Sequence, residues 1–265
     1  MSLPTIDLKQ IRFRTKINFP PSLSKELAEE IGIHIGDGSL FFRKKENHYD
    51  YVVCLNREEE SYKNYVISLI KKIYGIFPSY IDRDKVENSI NIEYYSKLLF
   101  LWKKSLGLPI GNKREITIPK FILNSIFVTD CLRGIFDTDG SITFKKKKNN
   151  YHSYPVLKID NKSSKLILQI NSLLKKIEIN SSFQLNRPHI SSKGSTSFVS
   201  TLYISGKSNL VKWFNLISSK NEIHITKYKI WKKFGFCLSK TTLKHRKLIL
   251  SGKLNPKKFY AEGGI

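Results

Sequence analysis

Cysteine is scarce in this chain of 265 residues, with Cys54, Cys131 and Cys237 the whole complement. They are too few and too scattered for a disulfide framework and form no Cys-x-x-Cys pair for zinc, so they read as core thiols. The six histidines show no His-Glu-x-x-His or His-x-His spacing, which removes the usual histidine-bound catalytic zinc. No run approaches the ~18 apolar residues of a membrane span, and no apolar signal core precedes a cleavage site near the N-terminus. The expectation is a soluble intracellular protein, in cytoplasm, nucleoid or organelle matrix, with no membrane partner. Acid is in short supply too: 22 Asp and Glu stand against 46 Lys and Arg, a formal net charge of +24. A field that positive attracts a polyanion, with nucleic acid first and a membrane surface second.

What is present is a folded body and a repeat. Sixteen Phe, thirteen Tyr and three Trp, within 40% hydrophobic residues, are too apolar for a disordered basic tail. The string Gly32-Ile33-His34-Ile35-Gly36-Asp37-Gly38-Ser39 returns as Gly134-Ile135-Phe136-Asp137-Thr138-Asp139-Gly140-Ser141. Ser22 or Ser24 can N-cap a helix carrying the first copy, with Glu26 in its first turn. A β-like basic run then follows each copy. Tyr62, Tyr65, Val66, Leu69, Ile70 and Ile73 recur at three and four, an amphipathic helix whose tail Leu-Ile-Lys-Lys-Ile is echoed by Leu173-Leu174-Lys175-Lys176-Ile177. A hairpin fits 79–94, strands fit 183–186 and 197–204, and helices fit 96–106 and 208–217. The reading is α+β: duplicated αββαββα units with pseudo-twofold symmetry, the arrangement of a homodimer fused into one monomeric chain. The halves divide as 1–118, with an N-terminal arm, and 119–265, with an extra basic helix over 241–250.

Within the repeat, Ala28, Gly32 and Gly36 fall at i, i+4 and i+8, and Gly134 and Thr138 form a similar row. Such stripes let two helix backbones approach closely, so the two helices are expected to pack on each other. Each ends at an aspartate, where a helix terminus carries roughly half a negative charge. Two carboxylates and two such termini at one spot repel unless a cation intervenes, and hard divalent ions with oxygen ligands suit the spot, DNA phosphates completing the set. One Asp-Gly-Ser alone is an ordinary helix stop. Two at matched spacing, each feeding a basic strand, favour a site made of Asp37 and Asp139. Asp137 has Ile35 as its counterpart and reads as a capping or supporting residue.

Both strings resemble the LAGLIDADG motif of homing endonucleases, and the chain resembles the family's two-motif, single-chain members over roughly residues 24–254. The match is degenerate early in the first copy, with Glu30 and Ile31 where the motif has Leu and Ala, and closer in Leu132 to Ser141. The resemblance implies two antiparallel sheets forming a DNA-facing saddle, and a metal-dependent staggered double-strand break in a long, imperfectly palindromic site. It implies Mg²⁺ or Mn²⁺, with Ca²⁺ binding without supporting cleavage, held at Asp37 and Asp139 with their neighbours Gly36 and Thr138. Polar residues ending the second strands map to Asn56 and Asn161, followed by Arg57 and Lys162. Lysines in the loop after each half's last helix map to Lys113 and Lys227, either at the scissile phosphate or as plain phosphate contacts. The alternative is a non-cleaving binder on this fold, an intron RNA maturase or a DNA-binding regulator. An intein insert is disfavoured, because no splicing residues flank the chain.

If each sheet faces a major groove, every second residue after the motif reaches the bases. That selects Phe41, Arg43, Lys45 and Asn47, then Thr143, Lys145, Lys147 and Asn149. Tyr49, Tyr51, Tyr154 and Lys158 are the second-strand candidates, with Arg57 and Lys162 beyond them. Two different strips predict an asymmetric target of about two duplex turns, as paired half-site readers span.

Overall fold

The computed structural model describes residues 3, 17–84, 88–146, 152–190, 194 and 196–257. The first half runs α1 (Lys25–Gly36), β1 (Gly38–Arg43), β2 (His48–Asn56), α2 (Glu60–Tyr74), β3 (Tyr80–Asp84), β4 (Ser89–Tyr95) and α3 (Lys97–Ser105). A connection containing α4 (Lys120–Leu123) leads to α5 (Val128–Asp139), β5 (Gly140–Lys146), β6 (His152–Asn161), α6 (Ser164–Lys176), β7 (Ser182–Ile190), β8 (Thr196–Ser205) and α7 (Lys207–Leu216). Two further helices follow, α8 (Glu222–Phe234) and α9 (Leu243–Leu250). The sheets have matching order, β1-β2-β4-β3 and β5-β6-β8-β7, every pairing antiparallel. The duplicated α+β layout is thus present.

Local chemistry sets the helix ends. Ser24, Ser96 and Ser163 each accept a backbone N–H of the first turn of α1, α3 and α6 through the side chain, satisfying a donor that has no intrahelical partner. Gly75 and Gly235 end α2 and α8 in the left-handed conformation that glycine adopts without steric cost. The sequence pattern misses α8 altogether: it puts Lys227 in a loop after the last helix of the second half. Asn221, whose side chain caps Ile223 N, and Gly235 were its start and stop signals.

The two halves meet along α1 and α5. A methyl group on Gly32 would strike the carbonyl oxygen of Cys131, and one on Gly134 the carbonyl oxygen of Glu29, so the small-residue stripes do place backbone on backbone. Farther from the aspartates, Arg133 Nη2 of α5 donates to Glu29 Oε2 of α1 at 2.7 Å. The core extends on both sides of this pair, from Leu27, Ile31 and Tyr51 to Phe136, Leu157 and Trp213. The connection also packs: Ile116 and Ile118 are buried, and Ser163 Oγ and Gln169 Oε1 bond the backbone of these two residues.

Glu30, which departs from the motif, is fully buried and fully answered. It pairs with the buried Lys103, and accepts from Tyr51 Oη at 2.8 Å and Tyr74 Oη at 3.1 Å. Tyr51 therefore belongs to the core and does not read DNA. The expected second-strand parity fails here because β1 and β2 register as Ser39 with Val52 and Phe41 with Asp50. That register puts Asp50, Val52 and Cys54 on the open face and turns Tyr49 inward, against Phe42 and Phe100. Cys54 is accordingly exposed and no core thiol, whereas Cys131 and Cys237 are buried.

Candidate active site

The carboxylates stand at the ends of the paired helices. Asp37 caps α1 and Asp139 is the last residue of α5. A methyl group on Gly36 would strike the Thr138 side chain, so the absence of a side chain at Gly36 is what lets the acid-bearing end of α5 approach the end of α1. Burial pushes the Asp37 carboxyl well above its ordinary value, and the negative charges of Asp139 and Glu59 push it further, against the pull of Lys113. Burial likewise raises Asp139, to about 6, while Asn161 and Lys113 hold it down. Two such carboxyls hold their protons more tightly than free ones and call for positive charge.

Lys113 supplies part of that charge. Its Nζ donates to Ile35 O at 3.3 Å and, closer still, to Gly36 O, the carbonyls that end α1. A cation at a helix C-terminus is favourably placed against the aligned dipoles. Burial lowers its pKa, the two aspartates raise it, and the nearby Lys162 lowers it again. Asn161 Nδ2 donates to Asp139 Oδ2 at 2.6 Å, fixing that carboxylate, and its Oδ1 accepts from Ser163 N at 2.8 Å.

The second half is not a copy of the first. Asn56 makes no bond to Asp37; its Oδ1 accepts from Glu58 N at 2.9 Å, closing the turn into α2. Lys227 lies on α8, not in a loop, and its Nζ donates to Ile142 O at 3.0 Å and to neither aspartate. Arg57 is exposed in the turn after β2. Glu59, absent from the sequence reading, is the third acid of the neighbourhood. It accepts from Asn221 Nδ2 at 2.5 Å and from Asn56 N at 2.9 Å. Only the return of β2 beside the end of α1 brings residue 59 to residue 37, so no spacing in the sequence signals it.

Asp137 turns the other way. Its carboxylate accepts from Ser219 Oγ at 2.5 Å and Lys220 N at 2.6 Å, and its backbone oxygen accepts from Asn221 Nδ2 at 3.0 Å. It therefore holds the segment that starts α8.

The oxygen donors suit a hard divalent cation: the carboxylates of Asp37 and Asp139 with the backbone oxygens of Gly36 and Thr138. Among the described residues no group of three or more His, Cys, Asp or Glu is arranged to hold an ion. An ion here needs oxygens from outside the protein, as Mg²⁺ sites completed by phosphates do.

Of the surface residues, Phe41, Arg43, Thr143, Lys145, Tyr154 and Lys158 share the open sheet faces, since Lys145 pairs with Tyr154 and Ser141 with Lys158. Lys45 and Asn47 leave the strand: Lys44–Glu46 is a single 3-10 turn and Asn47 has φ 47°. The alternation counted through them stops at Arg43. Lys147 and Asn149 lie outside the described residues.

Fold and centre define a class: a single chain of two pseudo-equivalent α+β halves, joined through paired helices that each present one acid at the junction. Residues 127–218 match the family described as LAGLIDADG-like domain. The fold is similar to that of the homing endonuclease I-GzeII in complex with its DNA target, at TM-score 0.54 and 10% identity over 91% of this chain and 96% of that one. It is also similar to the homing endonuclease I-WcaI bound to its DNA recognition sequence, at TM-score 0.50 and 18% identity over 79% and 87%. The second half thus matches a LAGLIDADG-like domain, and the whole chain has a fold similar to that of these two-unit structures. Two uncharacterized proteins of Methanocaldococcus jannaschii are related in sequence. MJ0398 is 27% identical over 62% of this chain and 53% of its own length, and MJ0314 is 30% identical over 64% and 60%. The chain therefore spans less than two thirds of these curated relatives. Among the described residues no helix is long and apolar enough to cross a membrane.

Proposed function

We propose that the protein is a site-specific DNA endonuclease that makes a staggered double-strand break in a long, imperfectly palindromic target. The observation that carries this reading is the convergence of Asp37 and Asp139, with raised pKa values, at the junction of two open sheets on a strongly basic chain. Asp37 and Asp139, with the backbone of Gly36 and Thr138, would hold Mg²⁺ or Mn²⁺. When bound, such an ion supplies the Lewis acid and the activated water of phosphodiester hydrolysis. Asn161 orients Asp139. Lys113, anchored on the end of α1, offsets negative charge as it develops on the scissile phosphate. Each half engages one half-site, so the chain acts as a monomer, and each acid serves one strand.

A selection for cleaved molecules from a randomised DNA library in Mg²⁺ tests the activity and reads the site together. Asp37→Asn and Asp139→Asn each lower double-strand cleavage by at least ~100-fold, the loss expected when a group acts mainly on the transition state, while duplex binding in Ca²⁺ persists. Chelation abolishes cutting by the unaltered protein. Full cutting by either variant, or none by the parent under any divalent ion, sinks the nuclease reading. The second outcome, with binding intact, favours a non-cleaving binder.

A further inference from the structure

Arg246 is 3% exposed, on α9 outside the duplicated units. Among the described residues the buried lysines are Lys63 and Lys103, and each has a carboxylate partner, Glu60 and Glu30. Arg246 has polar partners only. Its Nε donates to Thr226 Oγ1 at 2.9 Å and its Nη1 to the backbone oxygen of Thr241. Lys227, one residue past Thr226 on α8, likewise bonds only a carbonyl. Two cations thus share one buried neighbourhood, and among the described residues neither forms a salt bridge.

Such an arrangement is costly. A buried charge is normally paired, and the desolvation of an unpaired one outweighs neutral hydrogen bonds. Burial lowers the pKa of both groups, and Arg246 lowers Lys227 further. The pair borders a cavity of about 320 Å³, whose walls also include Thr143 of β5 and the 239–241 segment. Glu58, exposed at the turn between β2 and α2, is the one carboxylate on its lining. The cavity is roomy and cationic, and it adjoins β5, one of whose faces is open.

We infer that α8 and α9 build a phosphate seat, in which Arg246 and Lys227 together take one backbone phosphate of bound DNA. The inference rests on the nucleic-acid reading above and adds to it a site made by the C-terminal helices. A guanidinium presents a planar fork that matches phosphate oxygens, and a lysine adds a point charge from the side. Thr143, on the open face of β5, puts the mouth where the backbone of a duplex on that sheet would run. Neither aspartate borders the seat, so its role is to hold the strand in register.

The test uses the full chain and two probes. The first is thermal unfolding in sodium phosphate against sodium chloride at matched ionic strength. Phosphate raises the melting temperature of the parent by more than it raises that of Lys227→Gln or Arg246→Lys. An equal shift in parent and variants reports only exclusion of phosphate from the surface and overturns the seat. If Arg246→Lys does not fold, Lys227→Gln carries the comparison, because Lys227 is half-buried and the change gives up a single hydrogen bond, to Ile142 O. The second probe is a mixed-sequence duplex without divalent ions. Lys227→Gln lowers affinity roughly tenfold and reduces the slope of log affinity against log salt by about 0.9, one phosphate contact. An unchanged slope beside a phosphate-specific melting shift assigns the seat to free phosphate and overturns the DNA assignment. Neither probe requires cleavage, so the seat can fail while the nuclease reading survives, and the reverse.

Discussion

Single residues account for the departures from a symmetric repeat. Glu30 holds a place where the motif carries leucine, and the structure explains how the acid is tolerated: Lys103, Tyr51 and Tyr74 answer it inside the core. His224 gives a residue-scale prediction with a definite sign. Its ring packs on Phe136 at 4.7 Å, and burial, with Lys227 and Arg246 nearby, lowers its pKa to about 3 from an ordinary 6.5. The unfolded chain takes up this proton below pH 6.5 and the folded chain does not until about pH 3. The contribution to stability is therefore present above pH 6.5 and is lost as pH falls through that window, at about 1.4 kcal/mol per pH unit. Urea unfolding of His224→Leu between pH 6 and 4 should show a fall in stability shallower than the parent's by about that amount. Parallel slopes would mean that the ring protonates in the folded state. The meeting of Asp37 and Asp139 was legible in the repeated motif, and Lys113 beside them only through the family resemblance. Glu59 and Arg246 were not, because their places depend on where β2 and α9 come to rest.

At the scale of elements, the decisive unit is the α1–α5 pair. Its contact is backbone against backbone at Gly32 and Gly134, and the atoms that an added methyl would strike are carbonyl oxygens held in their own helices. Flexible side chains could swing aside; these cannot. Gly32→Ala therefore forces the helices apart and costs about 3 kcal/mol, at the upper end of ordinary overpacking. Gly107→Ala, where a methyl group meets open space but φ is +87°, tests backbone strain alone and should cost less. Denaturant midpoints of the two variants measure the difference, and a Gly32→Ala midpoint equal to the parent's removes the close-packing account. The sequence pattern could reveal this pair because small residues at spacing four have one geometric use here. It could reveal the hairpins from alternation, yet it lost parity across the 44–47 turn, where a 3-10 turn and a left-handed Asn47 reset the alternation. The helix α8 escaped because its apolar positions are interleaved with lysines, leaving only the caps at Asn221 and Gly235 to mark it.

The whole molecule is basic but not evenly so over its two open faces. On the first sheet Arg43 is the basic residue beside Asp50 and Glu93, and its guanidinium is already engaged: Nε and Nη2 both donate to Asp50 Oδ2 at 2.8 Å. On the second, Lys158 and Arg187 stand with Asp160, whose Oδ1 is occupied by Thr201 Oγ1 at 2.5 Å. Arg187 donates to the neutral Gln184 at 2.6 Å, and Lys158 lies over the Tyr203 ring at 5.3 Å, so both keep their charge for a polyanion. A cation that neutralises a DNA phosphate releases counterions, whereas one already neutralised by an acid releases few. Lys158→Ala and Arg187→Ala should each reduce the slope of log affinity against log salt by about 0.9, and Arg43→Ala should leave it nearly unchanged. Glu93, the partly exposed acid of the first face, acts differently: a carboxylate at a base edge accepts from the cytosine amino group. Glu93→Gln should therefore raise affinity for mixed-sequence duplex while relaxing base preference in one half-site. Fluorescence anisotropy over a salt series, with the selected target and a mixed-sequence duplex, separates the two effects. Equal slope changes for Arg43→Ala and Lys158→Ala would show that the two halves grip the duplex alike, and the asymmetric division of labour would fall.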